Sequence, residues 1–167
     1  MWKESSFQDV ICGRGTVRIP GVKMHVQLYI AGGLLIDTGS ASLLKHTKGF
    51  LRQKKIEQVV LTHIHEDHSG AAPWIQQNLN VPVYVRQESI EEAHRPSKVQ
   101  LYRRIIWGNR GAFHAKAVPK QITAEKYVFD CIDSPGHHPF HTVLHERNMG
   151  WLFSGDLYVI PRPHVSY

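Results

Sequence analysis

Apolar positions in the first part of the chain fall into short alternating or continuous runs, the pattern of β-strands, and helical spacing enters later. Residues 7–12 and 16–19 read as strands, broken by Gly13-Arg14-Gly15 and ended at Pro20-Gly21. Residues 25–31 and 34–37 form a hairpin pattern across Gly32-Gly33, a pair that accepts the positive φ of a tight turn. Asp37-Thr38-Gly39-Ser40 closes that strand and offers capping groups to a helix over 42–53, with Leu43, Leu44, Phe50 and Leu51 as its apolar positions. Val59-Val60-Leu61 is a continuous apolar run, as a strand buried on both faces requires. A helix over 71–79 follows, with Trp74, Ile75 and Leu79 on one face, and then a strand over 81–85, which together make a βαβ unit. A further helix starts near Arg95, places Leu101, Ile105 and Ile106 at helical spacing, and stops at Gly108-Asn109-Arg110-Gly111. Residues 127–132 alternate as a strand, and 142–145 pairs with 151–153 across Arg147-Asn148-Met149-Gly150. No repeat, low-complexity tract or linker interrupts the pattern, so one α/β domain spanning 1–167 is expected.

Chemistry concentrates just after the buried strand, in His63-Ile64-His65-Glu66-Asp67-His68. Alternate residues of an extended segment point the same way, so His63 and His65 converge on one cation, while Asp67 and His68 point elsewhere and permit a second. Imidazole and carboxylate donors suit zinc, and a carboxylate in such a loop can also orient, or take a proton from, a metal-held water. Isolated histidines such as His25, His46 and His94 read as surface or packing residues.

The segment Thr62-His63-Ile64-His65-Glu66-Asp67-His68-Ser69-Gly70 resembles the T-H-x-H-x-D-H-x-G signature of the metallo-β-lactamase superfamily. Three more segments follow that family's order. Leu35-Ile36-Asp37-Thr38-Gly39 resembles its early strand-end aspartate, Ser134-Pro135-Gly136-His137-His138-Pro139-Phe140-His141 its P-G-H segment, and Phe153-Ser154-Gly155-Asp156 its F-x-G-D segment. The resemblance implies an αβ/βα sandwich. It also implies a first metal on His63, His65 and His137, a second on Asp67 and His68, and Asp156 between them. Asp37 would support a ligand from behind, and His141 would be a supporting strand-end residue. The family places one more histidine on the second metal beyond the bridging aspartate. After Asp156 this sequence holds only His164, whose spacing does not match, so the C-terminal layer is expected to be incomplete.

The function implied is metal-assisted hydrolysis of an ester, thioester, lactone or phosphodiester, by a metal-bound hydroxide steered by Asp67. Zinc is the expected metal, one or two ions, with iron or manganese compatible with the same donors. Two other readings stay open: an iron-dependent oxidoreductase of the same fold, and a catalytically impaired metal-binding module.

Composition adjusts this picture only in detail. The formal charge of +6 is concentrated between Arg95 and Lys120, where Arg95, Lys98, Arg103, Arg104, Arg110, Lys116 and Lys120 alternate with Tyr102, Trp107 and Phe113. That stretch reads first as a solvated helix face with aromatic residues packed beneath it; it also suits an anionic small-molecule substrate lining the site, and a nucleic acid is compatible but less favoured. Cys12 and Cys131 sit in apolar contexts and read as free buried thiols. The N-terminus lacks a secretory pattern and no apolar run reaches a membrane span, so a cytoplasmic protein is expected. An incomplete outer layer would leave apolar surface uncovered, which predicts self-association.

Overall fold

The computed structural model describes residues 1–158. A seven-stranded sheet runs in chain order: β1 (Trp2–Phe7), β2 (Val10–Ile19), β3 (Val22–Ala31), β4 (Leu34–Ile36), β5 (Gln58–Val60), β6 (Val83–Val85) and β7 (Ala115–Ala117). Strands β1 to β4 pair antiparallel and β4 to β7 parallel. The switch follows the connections. Tight turns suffice up to Gly32-Gly33, both at positive φ (55° and 79°). Beyond β4, parallel pairing needs crossovers. These are supplied by α1 (Leu44–Leu51), α2 (Glu66–Ser69), α3 (Ala72–Leu79), α4 (Ile90–Ala93) and α5 (Leu101–Trp107). A second, antiparallel sheet has the order β11 (Trp151–Phe153), β10 (Thr142–Glu146), β9 (Tyr127–Asp133), β8 (Gln121–Ala124).

Burial explains the layering. Phe50 and Leu51 of α1 and Trp74 and Ile75 of α3 pack on Leu28, Leu35, Val59 and Val83, one face of the large sheet. The opposite face presents Leu34, Ile36 and Val60 to Ile122, Phe129, Leu144 and Phe153 of the small sheet. Strands β4 and β5 are therefore covered on both sides, which is why their sequences are continuous apolar runs. The outer face of the small sheet exposes Val128, Ile132 and Leu152, and no helix packs there among the described residues. Among the described residues the architecture is an α/β sandwich of two sheets with helices on the outer face of the large one. Among the described residues no helix is long and apolar enough to cross a membrane.

Three local expectations are corrected. Strand β2 runs unbroken through Gly13-Arg14-Gly15. A Cβ on Gly13 would come within 2.6 Å of the Trp2 ring, and one on Gly15 within 2.4 Å of Leu43. These glycines admit close-packed neighbours; they do not turn the chain. The helix placed from Arg95 begins only at Leu101. The carbonyls of Glu92, Ala93 and Arg95 are taken instead by the buried Arg110 guanidinium, at 3.0 to 3.3 Å. Its face also differs: Leu101 and Ile105 lie in solvent, while Ile106 and Trp107 pack with Val26 and Leu43. Strands β1, β7 and β8, short and rich in polar residues, were not anticipated from the sequence.

Candidate metal centre

The site grows from the carboxyl ends of β4 and β5, where open parallel sheets gather ligand-binding loops. Asp37 follows β4, its amide bonded to the Val60 carbonyl at 2.9 Å. It takes a left-handed conformation (φ 58°), which a short polar residue tolerates. Its carboxylate then meets Thr62, beyond β5: the Thr62 amide donates to Oδ1 at 2.8 Å and the hydroxyl to Oδ2 at 2.9 Å. Thr38 clasps the far end of the histidine loop, its amide and hydroxyl both donating to the His68 carbonyl at 2.7 and 2.8 Å. Gly70 closes that loop because a Cβ there would lie 2.2 Å from the Ala41 amide nitrogen.

Hydrogen bonding fixes which ring nitrogens face inward. The Thr62 hydroxyl has one proton and gives it to Asp37, so it accepts from Nδ1 of His63 at 3.1 Å. His68 Nδ1 donates to Asp37 Oδ2 at 2.7 Å. Both histidines therefore turn Nε2 toward the cleft, the arrangement in which a supporting carboxylate and hydroxyl orient metal-binding imidazoles.

Two sets of donors converge, the ligand atoms of each within 4.8 Å of one another: His63, His65 and His137, and His63, His68 and Asp156. In the first, Nε2 of His63 and Nε2 of His137 lie 3.0 and 3.2 Å from Nδ1 of His65. Asp156 reaches both sets, with Oδ1 at 3.2 Å from His68 Nε2 and Oδ2 at 3.7 Å from His137 Nε2. Asp67 stands beside the second set, Oδ2 at 3.8 Å from His68 Nε2, and its Oδ1 is buried without a hydrogen-bond partner. A buried carboxylate oxygen left unpaired is costly in a protein and natural for a cation ligand, so these residues fit a bound metal. Imidazole and carboxylate donors alone, with no thiol among them, suit zinc and also iron or manganese.

The electrostatics follow from crowding. Burial, reinforced by the neighbouring histidines, drives His63 far below the ordinary imidazole range and holds His65 at about 4, with Arg103 and His138 adding to the effect at His65. His68 behaves oppositely. Burial works against its charged form, but Asp37 and Asp156 outweigh it and raise its pKa well above the usual value. The Asp67 carboxyl is pushed up by burial, while the hydrogen bond from His68 leads in lowering Asp156.

Of the six residues nominated as metal ligands, five fall in the two donor sets, His63, His65, His68, His137 and Asp156, with His63 in both, while Asp67 lies beside the second set. His164 lies outside the described residues. Two further side chains border the ligand candidates. His138 stacks edge-on at 5.0 Å from the His65 ring. Arg103, far along the chain, reaches in from α5 to pair with the buried Glu66. His141 was read as a supporting residue. It is buried against Ser134 Oγ at 2.9 Å, its ring centroid 5.2 Å from that of His63. A cleft of about 1100 Å³ opens on Asp67, His68 and Asp156, walled in part by Tyr29, Trp107 and Phe153.

Residues 29–162 match the family model of the metallo-β-lactamase superfamily. The chain belongs to that superfamily. It is 28% identical over 110 residues to a hydroxyacylglutathione hydrolase of Bdellovibrio bacteriovorus, covering 65% of this chain and 38% of the relative. A probable metallo-hydrolase, YybB of Bacillus subtilis, is 26% identical over 106 residues, covering 60% of this chain and 45% of the relative. The chain thus spans less than half the length of either relative. Among solved structures, a metallo-β-lactamase from Pontibacter korlensis superposes with a TM-score of 0.65 at 19% identity, covering 92% of this chain and 71% of the other. That likeness concerns the fold alone.

Proposed function

We propose that this chain is a zinc-dependent hydrolase whose two-ion centre is formed by His63, His65 and His137 on one side and His68, Asp67 and Asp156 on the other. The observation that carries the reading is the pair of converging donor sets, with the unpartnered, buried Oδ1 of Asp67 beside them. Esters, thioesters, lactones and phosphodiesters are the substrate classes considered. Likeness to a hydroxyacylglutathione hydrolase favours the thioester.

Zinc bound at such a centre acts as a Lewis acid and brings the pKa of water toward neutrality. The protein's own contribution is orientation and proton handling. Asp37 and Thr62 hold His68 and His63 in one tautomer each, so that their Nε2 atoms are presented without reorganisation. Asp67, beside the second donor set, is placed to orient water there and to accept its proton. Trp107, Tyr29 and Phe153 give the cleft an apolar wall for the acyl part of the substrate.

Metal analysis of protein purified without added metal, coupled to a panel of thioester, lactone, phosphodiester and β-lactam substrates, tests the reading. About two zinc ions per chain with turnover are expected, and His63→Ala should abolish turnover and lower the zinc content. Iron without hydrolysis would replace this reading by a redox one. Tightly held zinc with no turnover would point to an impaired module.

A further inference from the structure

Of the seven basic residues between Arg95 and Lys120, the fold delivers one to the metal loop. Arg110 is fully buried and spends its guanidinium on backbone carbonyls. Arg95 pairs with Glu91 at 3.7 Å in solvent. The charged groups of Lys98, Arg104, Lys116 and Lys120 make no hydrogen bond or ion pair with another described residue. Arg103 differs. It sits one helical turn before Trp107, on the same side of α5, and Trp107 walls the cleft. Its Nε donates to Glu66, whose side chain is 3% exposed, between the ligand candidates His65 and Asp67. Among the described residues its two η nitrogens have no partner, and its side chain is 28% exposed. Its charge acts on both His65 and Asp67.

A guanidinium anchored through Nε keeps its outer edge fixed in direction. That edge is the planar pair of donors that a carboxylate or phosphate matches in bidentate fashion. Glu66 offsets part of the cost of holding the cation half-buried but leaves the donors unspent. We propose that Arg103 is the anion-recognition residue of this site, binding an oxyanion of the substrate, carboxylate or phosphate, beside the metal centre. This rests on the hydrolase reading above and names the substrate class it implies: an ester or thioester with a negative group close to the scissile bond.

The experiment compares a glutathione thioester, which carries carboxylates, with the neutral N-acetylcysteamine thioester of the same acyl group, on zinc-loaded protein. For Arg103→Gln, the ratio of KM values, anionic over neutral, should rise about 10- to 100-fold, as loss of a charge-assisted pair predicts. Arg103→Lys keeps the charge and loses the fork, and its ratio should fall between those of the wild type and Arg103→Gln. Zinc content, measured on each variant, should stay at the wild-type value. Succinate and inorganic phosphate as inhibitors of the neutral substrate separate the two sources of oxyanion; whichever loses potency in Arg103→Gln is the group recognised. An unchanged KM ratio in both variants, with neither inhibitor weakened, would overturn the proposal. Wild-type protein that holds no zinc and cleaves neither thioester would instead defeat the hydrolase reading itself.

Discussion

The hydroxyl of Thr62 lies 2.9 Å from Oδ2 of Asp37, and through this contact the ends of two adjacent parallel strands are tied to two imidazoles. Asp37 is thus the hub behind the site, although it faces no cation itself. Asp37→Asn keeps a residue that tolerates the left-handed backbone while removing the charge that holds His68. Zinc affinity should fall about 10- to 100-fold, read by competition with a chromophoric chelator; an unchanged affinity would show that the Asp37 contact is merely structural.

Nε2 of His63 lies in both donor sets, but its single lone pair can hold one ion, and the two-ion centre gives it to the set with His65 and His137. His65→Ala then removes a donor from that site only and leaves His68, Asp67 and Asp156 for the other. Native mass spectrometry should find about two ions per chain in the wild type and about one in that variant. Loss of both ions would mean that the two sites do not fill separately.

Gly155 precedes Asp156 at a φ of 51°, and a Cβ there would come within 2.6 Å of His141 Nε2 and 2.7 Å of Thr62 Oγ1. Gly155→Ala therefore meets both backbone strain and a steric clash. A loss of about 1–3 kcal/mol is expected, seen as a lowered midpoint in urea denaturation, together with weakened zinc retention as Asp156 is displaced. Wild-type stability and zinc content would contradict this.

Burial pushes the Cys131 thiol up to about 12. Since the thiolate is the reactive form, its labelling by a disulfide reagent at pH 8 should be on the order of a thousandfold slower than that of a free thiol. Labelling should become fast on unfolding. Rapid reaction of Cys131 in the native protein, identified by peptide mapping, would show that the thiol is not sheltered as described.

Much of the site was legible in the sequence because its donors are local. Four of the six ligand candidates fall within His63 to His68, and the strand before them announces itself by its unbroken apolar character. What escaped was set by long-range packing. The glycines of β2 look like a break until Trp2 and Leu43 are seen pressed against them. Helical spacing in α5 was visible, but not which side of it would face solvent, because that depends on where Val26 and Leu43 lie. The pairing of Arg103 with Glu66 joins positions with no pattern between them, and nothing local in the sequence marked it.

The buried Arg110 gives this last point a longer reach. By gathering the carbonyls of the 92–95 segment and of Gly111, it ties together the two stretches that flank α5, the helix that carries Arg103. The cation that pairs with Glu66 is in this sense placed by another cation buried away from it. A change in the 92–111 loop can re-aim that side chain while every residue of the His63–His68 segment stays untouched. Substrate preference and ligand set are then inherited through different stretches of chain, and selection can revise the first without putting the second at risk.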